Sequence, residues 1–424
     1  AMRVPRVKVQ PLPHAVFLTR LASAANGNAI DVRLGQGAFL TLRLVDLLSR
    51  DHEPSHPDAF TYQHRATERF CRDLQCGGPE EAHLKGLVGT AADSYRSGDS
   101  RLIAPALLAY ALYLEDDARY EEALDVLETT LQVGGERLRV ADAVAATLRL
   151  ARVNRKLARF ADAETAYVHA GQLAAAAGDR YAVLLSRIGL AGAIQGRGNL
   201  GEAERCYREI LADARMAGER DAEAQAEHGL GTTLLLRGQP AEAAPHAWRA
   251  SELYENEAAQ LRALGDLALM LSALGDAESA ERALALVVRR SANQDGIMNA
   301  LIELMHCASY RRDRLGFERW RSECEGRLEH MAPNMVTDFL LKVGVGHARF
   351  GYFSKAETFL AAALETAAAS GLHEFEFRIE RIRNGLGDCR EELENACADA
   401  TEPVTSEPLR TVRQSLQELA GAGV

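Results

Sequence analysis

The chain is poor in residues that favour β-strands or interrupt helices. Aromatic residues make up 6% of its 424 residues, and most of its 47% hydrophobic content is Ala and Leu, which favour helices over strands. Only 12 prolines are present, so long helices can form without interruption. This composition argues strongly against an all-β fold.

Cysteine motifs, targeting segments and long apolar runs are also missing. The seven cysteines are odd in number and include no C-x-x-C pair, so we expect neither a disulfide framework nor a zinc ribbon, and we predict a reduced, cytoplasmic setting. The short N-terminal apolar stretch is broken by Arg20, unlike a signal peptide. No run of 18 apolar residues occurs, so we expect no contact with a membrane through a spanning helix.

Basic residues are too few for a typical nucleic-acid binder. The chain has 49 Lys and Arg against 60 Asp and Glu, which gives a net charge of −11. Proteins that bind a phosphate backbone need clustered cations to displace its counterions. We therefore expect no direct contact with nucleic acid.

The chain does contain an internal repeat, marked by alanines in segments such as RYEEALDVL and RFADAETAY. The spacings between successive key alanines are 40, 40, 40, 37 and 76 residues, the last being two steps of 38. The skipped unit falls near Phe317, in a degenerate segment that lacks the small residue. The key alanines are Ala123, Ala163, Ala203, Ala243, Ala280 and Ala356.

A second small residue precedes each key alanine by 12 positions, and packing residues follow the alanine at +4 and +7, on one face of a helix. Each unit is therefore predicted to hold two helices that approach closely. Glycines mark the turn between them at Gly198, Gly238, Gly275 and Gly351. The second set of small residues is Ala111, Ala151, Ala191, Gly231, Ala268 and Gly344.

This pattern resembles the tetratricopeptide repeat over roughly residues 102–371. The spacing is similar to a longer variant found in kinesin light chain-like proteins and bacterial STAND-type regulators. The resemblance implies an all-α fold, a right-handed α-solenoid of helix–turn–helix repeats with capping helices at both ends.

Three regions are predicted along the chain. Residues 1–100 form an N-terminal helical cap with a degenerate repeat at 58–97, residues 101–399 form the solenoid, and residues 400–424 form a linker and a C-terminal helix. That helix carries an apolar stripe of Leu409, Val412, Leu416 and Leu419. We expect it to cap the open end of the solenoid; the alternative is a homodimer through the same stripe.

No motif predicts catalysis, a metal or a cofactor. The segment Gly196–Gly201 matches G-x-G-x-x-G but follows a predicted helix, which indicates a turn between helices. His52, His56, His64 and Cys71 form the densest potential metal set. However, Pro54 and Pro57 break the helix that would align His52 with His56, so a solvated loop is favoured. We therefore predict a protein that is not an enzyme.

The resemblance also implies which residues face the inner groove. In the family, positions 2, 5, 9, 12 and 13 of each unit point inward, with the first small residue at position 8. Later units add Met305, Arg312, Leu341 and Arg349. Three histidines on first helices either face the groove or pack inside the protein: His228, His306 and His347. The proposed peptide-binding residues are Leu148, Arg152, Arg155, Lys156, Leu185, Ile188, Gln225, His228, Thr232 and Arg262.

This set is neutral to basic, so the expected partner is an acidic or amphipathic peptide or protein; side chains that only cover a solvated surface are the alternative. The family's carboxylate clamp for chaperones is absent, because its Asn positions hold Arg152, Gly192, Thr232 and Leu269. The leading hypothesis is a non-catalytic scaffold or adaptor. The alternative is a peptide- or ligand-responsive module of a bacterial signalling or transcription-control system, and an enzyme with a site in the first 100 residues comes third.

Overall fold

The computed structural model describes residues 12–26, 29–49, 58–292, 294–328, 331–395 and 406–421, and every regular element in these ranges is a helix. Three are 3₁₀-helices, Ala15–Asn26, Ser100–Ile103 and Gly135–Arg137. The α-helices are α1 (Ala29–Asp46), α2 (Ala59–Arg72), α3 (Pro79–Ser97), α4 (Ala104–Asp116), α5 (Tyr120–Gly134), α6 (Val140–Lys156), α7 (Phe160–Ala176), α8 (Arg180–Gly196), α9 (Leu200–Ala217), α10 (Arg220–Leu236), α11 (Pro240–Leu253), α12 (Glu257–Ala273), α13 (Ala277–Arg290), α14 (Gln294–Tyr310), α15 (Arg314–Glu325), α16 (Pro333–Arg349), α17 (Phe353–Ala369), α18 (His373–Asn395) and α19 (Glu407–Gly421).

The chain divides into two units, Ala1–Glu202 and Ala203–Val424. In the first unit, α4 packs against α5 and α6 against α7; in the second, α10 packs against α11, α12 against α13, α14 against α15 and α16 against α17. Each pair is joined by a short turn and each contacts the next helix along the chain. The predicted all-α fold of helix–turn–helix repeats is confirmed.

Small side chains at fixed positions set the distance between paired helices. All six key alanines of the second helices are fully buried, as are the four alanines at the matching positions of the first helices. At Gly231 of α10, an added Cβ would lie 3.2 Å from the carbonyl oxygen of Ala243 on α11. The two backbones therefore meet directly, which a larger side chain would prevent.

The degenerate unit solves the same packing problem in a different way. Phe317 of α15 is fully buried at the position where other units have alanine. Its ring occupies the space over Gly346 of α16, where an added Cβ would lie 2.3 Å from the ring. His347 lies edge-on to Phe317, with 5.4 Å between ring centroids, and is buried. His347 is therefore a packing residue, and a glycine on the next helix replaces the missing alanine.

The N-terminal region forms one core with the first repeats. Buried apolar residues run continuously from Phe17 to Val153. The 3₁₀-helix Ala15–Asn26 packs along α1 and α5, and its Arg20 reaches two buried carboxylates, with Nη2 donating to Glu80 Oε1 (2.9 Å) and Nε to Glu122 Oε1 (2.8 Å). Helices α2 and α3 contact each other.

The C-terminal helix lies elsewhere than the sequence predicts. Helix α19 packs against α11 and α13, which are second helices of neighbouring repeats. Leu409, Val412 and Leu416 are buried there, whereas Leu419 is 37% exposed, and Arg413 Nε donates to Asp276 Oδ2 at 2.5 Å. The apolar stripe finds its partner between two repeats instead of over the last one. Since the stripe is occupied, we no longer predict a homodimer through it.

In the turns within repeats, the residue after the first helix has a left-handed backbone conformation. The four predicted turn glycines have φ between 75° and 84°. At Gly198, the amide donates to Gln195 O (2.9 Å) and the next amide donates to Ile194 O (3.2 Å), the hydrogen bonds of a Schellman motif. The turn after α6 makes the same bonds with Ala158, at φ 57°. Alanine is strained in this conformation, and glycine is not.

We expect Ala158→Gly to raise the free energy of unfolding by about 0.5–1 kcal/mol, because the relieved strain exceeds the added flexibility of the unfolded chain. Chemical denaturation monitored by circular dichroism measures the effect. Gly198→Ala is the matched reverse change, since no atom lies within 4 Å of an added Cβ, and should lower stability by about 1 kcal/mol. A destabilised Ala158→Gly variant would show that the turn is unstrained.

His14 fastens the start of the described chain to two helices. Its Nε2 lies 3.0 Å from Asp46 of α1 and its Nδ1 lies 2.6 Å from Asp125 of α5. Burial opposes a charge on the imidazole, but the two carboxylates outweigh burial and raise the pKa of His14 to about 9. The imidazolium, which donates one hydrogen bond to each carboxylate, is therefore the stable form of His14 in the folded protein.

Because the folded-state pKa of His14 lies above its ordinary value of 6.5, this contribution to stability is complete below pH 6.5 and is lost as pH rises through 9. We expect His14→Gln to flatten the fall in thermal unfolding midpoint between pH 6.5 and 9. His169→Gln, at an exposed position of α7, should leave that fall unchanged. Equal pH profiles for wild type and His14→Gln would contradict the assignment.

Candidate functional site

In the first unit, the predicted inner-face cations are held by a buried carboxylate. Glu115 of α4 has a fully buried side chain, and Arg152 Nε donates to it at 2.5 Å while Lys156 Nζ lies at 3.2 Å. Arg149 approaches the same carboxylate at 3.4 Å. Burial opposes ionisation of Glu115, but the hydrogen bond and charge of Arg152, together with Lys156, keep its pKa below the usual value. Glu115 thus ties α6 to α4.

The other predicted residues of this unit have mixed environments. Arg155 Nε is buried and has no hydrogen-bond partner among the described residues. Leu148 packs against the apolar clusters around Ala151 and Val144, while Leu185 and Ile188 of α8 are half-buried. Arg152 and Lys156 are exposed on α6, and the sequence does not reveal that Glu115 already holds them. Their role as peptide contacts stays a prediction.

We expect Glu115→Gln to lower the free energy of unfolding by about 1–2 kcal/mol, because three half-exposed cations lose their shared carboxylate. Glu121→Gln serves as the control, since Glu121 forms an exposed pair with Arg159 and such pairs contribute little. Urea titrations of both variants provide the comparison. Equal stability of the two variants would mean that the Glu115 cluster contributes no more than an ordinary surface pair.

In the second unit, His228 of α10 is buried in a polar cluster. Its Nε2 lies 2.7 Å from Asp266 Oδ2 of α12, and its Nδ1 lies 3.2 Å from the hydroxyl of Tyr254. Burial raises the pKa of Tyr254 to about 12, although Arg262 opposes the shift. His228 and Arg262 both interact with Tyr254, but His228 is engaged with the protein, and the role of both residues in binding a peptide stays a prediction.

Two further predicted residues make only local contacts. Gln225 donates to Asp221 Oδ2 at 2.7 Å, one turn away on the same helix. Thr232 donates to the carbonyl of Gly229 at 3.0 Å. Both side chains are half-exposed, so they remain available at this surface.

A cavity of about 410 Å³ lies further along the same unit. First helices of successive repeats, α12, α14, α16 and α18, supply nearly all of its lining. Several of these residues occupy positions 9, 12 and 13 of their units, the positions that the resemblance assigns to the groove. The cavity is lined by Leu269, Ser272, Ala273, Ala277, Glu303, His306, Cys307, Tyr310, Lys342, Arg349 and Arg378.

Of the later groove residues expected from the sequence, only Arg349 lines this cavity. Met305 and Leu341 are at most 1% exposed and belong to the core. Arg312 has φ 59° and lies in the turn after α14. The register of Met305 and Arg312 was wrong because the degenerate unit has no small residue to fix its phase. Leu341 belongs to the regular unit of Gly344 and is buried there. His306 does line the cavity, one of the two alternatives that the sequence left open.

Lys342 is the most deeply buried cation of the cavity, and two carboxylates neutralise it. Its Nζ pairs with Glu303 of α14 and donates to Asp338 Oδ2 at 2.6 Å. Burial opposes the charge, but these carboxylates raise the pKa of Lys342 above its usual value. The sequence reading missed this lysine, although Asp338 and Lys342 are four residues apart, a spacing that favours a helical ion pair.

Arg349 differs because no described carboxylate lies within ion-pair distance of it. Its Nη1 donates to Ser309 Oγ at 2.9 Å, and its guanidinium carbon lies 5.2 Å from the centroid of the Tyr310 ring. Its Nη1 and Nη2 lie 3.5 Å from the two ring nitrogens of His306. Burial, with no counter-charge to offset it, lowers the pKa of Arg349 below its usual value.

His306 and Cys307, which lie beside Arg349 in the cavity, are neutral. Burial and the adjacent Arg349 guanidinium lower the pKa of His306 to about 2. Burial raises the pKa of the Cys307 thiol to about 11. The end of the cavity at Arg349 therefore carries a positive charge without a negative partner.

Other candidate sites from the sequence receive no support as chemical centres. His52 and His56 lie outside the described residues. Within the described ranges, no group of three or more His, Cys, Asp or Glu could hold a metal ion. Gly196–Gly201 forms the turn between α8 and α9, as predicted. None of the described helices is both long enough and apolar enough to cross a membrane.

Comparison with known proteins agrees with the repeat architecture. Residues 181–256, which extend from α8 to α11, match the tetratricopeptide repeat family model. No curated protein matches the chain. The predicted resemblance to the tetratricopeptide repeat is confirmed.

Two solved structures have a similar fold over most of the chain. The apo form of the quorum sensor NprR from B. thuringiensis is 13% identical and aligns over 83% of this chain and 96% of that chain, with a TM-score of 0.53. The Rap conjugation gene regulator of the plasmid pLS20, in complex with the Phr* peptide, is 13% identical and aligns over 82% and 96%, also with a TM-score of 0.53. At this identity, the likeness concerns the fold.

Proposed function

We propose that this protein binds a peptide, or a peptide segment of a protein, on the inner face of its repeats and catalyses no reaction. The observation that carries this proposal is the cavity of about 410 Å³ that first helices of successive repeats line. Its volume lies in the range of sites for small ligands. Its lining combines apolar Leu269, Ala273 and Ala277 with a few charged groups, a combination suited to a short segment of peptide.

The cavity favours a peptide-responsive regulator over a passive scaffold. A scaffold requires an open surface, whereas a lined cavity encloses part of a short ligand. The similar fold of the pLS20 Rap regulator, which was solved with the Phr* peptide, supports the same choice by analogy. We therefore favour a ligand-responsive regulatory module as the biological role of the binding site.

The cysteines and the net charge support proposals about the compartment of the protein and its partners. We place the protein in the cytoplasm, which agrees with the free thiols of Cys71, Cys76, Cys307 and Cys324. The net charge of −11 supports action without direct nucleic-acid contact. Half-buried Leu185 and Ile188, with Gln225, Thr232 and Arg262, remain proposed peptide contacts of their units.

A random mixture of pentapeptides, incubated with the immobilised full-length protein, tests this function. We expect mass spectrometry to detect a subset of peptides enriched about tenfold or more over a blank support. Ala273→Trp should abolish the enrichment, because Ala273 is exposed to the cavity and an indole would fill it. Ala285→Trp, on the exposed surface of α13, is the matched control.

Failure to enrich any pentapeptide would contradict the proposed function. Equal enrichment by wild type and Ala273→Trp would show that peptide binds outside the cavity. Circular dichroism melts of both tryptophan variants verify that each remains folded.

A further inference from the structure

We propose that Arg349 binds a carboxylate group of the ligand, which makes the cavity specific for a singly charged anionic group. This inference rests on the proposed function, since it assigns the chemistry of the same cavity. Three structural observations carry it: an uncompensated charge, a fixed guanidinium and the absence of a competing anion nearby.

The first observation is a contrast with the other buried cations. Arg20 is held by Glu80 and Glu122, with Asp31 at 3.6 Å, and Lys342 is held by Glu303 and Asp338. A buried charge without a counter-ion destabilises a fold, so both of these cations are neutralised within the protein. Arg349 has no carboxylate partner in the described chain, although it lines a cavity. A charge left unpaired at a cavity is suited to an anion that arrives with a ligand.

The second observation is that the guanidinium is already positioned. Ser309 and the carbonyl of His306 accept hydrogen bonds from Nη1, at 2.9 and 3.4 Å, and the Tyr310 ring lies beneath the group. No described residue accepts a hydrogen bond from Nε of Arg349. A planar guanidinium held in one orientation binds a carboxylate at a low entropic cost.

The third observation concerns the other groups of the cavity. His306 and Cys307 are neutral, and Glu303 is engaged by Lys342. Arg378 of α18 also lines the cavity and adds positive charge. One carboxylate therefore compensates the single unpaired charge of Arg349, and its two oxygens match the planar guanidinium, which favours a carboxylate as the ligand group.

A carboxylate can come from the C-terminus of a peptide or from an acidic side chain. Three random pentapeptide mixtures separate these sources: one with a free C-terminus and no Asp or Glu, one amidated with Asp and Glu, and one amidated without them. We expect wild type to enrich at least one carboxylate-bearing mixture about tenfold or more over the third. The enriched mixture identifies the source.

Arg349→Gln should reduce that preference by about 10- to 100-fold, the loss expected for a charge-assisted hydrogen bond. Arg282→Gln, which removes an exposed arginine of α13 paired with Glu278, should retain the preference. If wild type enriches the carboxylate-free mixture equally, or if Arg349→Gln keeps the preference, the inference is wrong while peptide binding stands.

If no mixture is enriched, the proposed function fails and a probe without peptide decides the inference. Sodium butyrate, which carries a single carboxylate, is compared with sodium phosphate and sodium chloride at equal ionic strength, and should then raise the thermal unfolding midpoint of wild type more than that of Arg349→Gln. An equal effect of butyrate on both proteins, or a larger effect of phosphate on wild type, would overturn the carboxylate assignment. In the absence of added anions, Arg349→Gln should melt close to Arg282→Gln, because removal of a buried charge without a counter-ion offsets the lost contacts with Ser309 and Tyr310.

Discussion

The close approach of paired helix backbones is the constraint on which the rest of this structure depends. Alanine or glycine recurs where two helices meet, and each such residue leaves no room for a longer side chain. This contact fixes the rotation of each helix about its axis, and therefore which side chains it presents on its free face. The cavity between α12, α14, α16 and α18 follows from that repeated rotation, because the same repeat positions line it in turn.

The sequence predicted the fold well, since alanine spacing and turn glycines are local features that repeat in phase. It predicted the site only in part, because the partners of its charged residues lie on other repeats. Arg152 was identified, but its carboxylate Glu115 is 37 positions away along the chain. Arg349 was identified, but the register of α14 was lost with the small residue that Phe317 replaces. The stripe on α19 was visible, but its sequence contains no information about which helices it covers.

Many charged side chains of this protein form buried ion pairs that the net charge does not reveal. The net charge of −11 conceals buried carboxylates that neutralise cations of neighbouring helices, as Glu115 does for α6 and Glu80 for Arg20. Such pairs connect elements that are far apart in sequence, and removing one partner leaves the other buried without compensation. Arg349 stands apart from this arrangement. It contacts Ser309 and Tyr310, but no carboxylate of the described chain pairs with its charge, which is the property that separates it from the structural cations.

Helix α19 has a mechanical consequence for the second unit. It lies against α11 and α13 and is pinned to the start of α13 through Arg413 and Asp276, so it acts as a splint across two adjacent repeats. Tilting these two repeats apart would strip Leu409, Val412 and Leu416 from their contacts. The repeats from α14 onward carry no such splint among their described contacts. Bending of this unit therefore requires the least free energy beyond α13, in the helices that line most of the cavity.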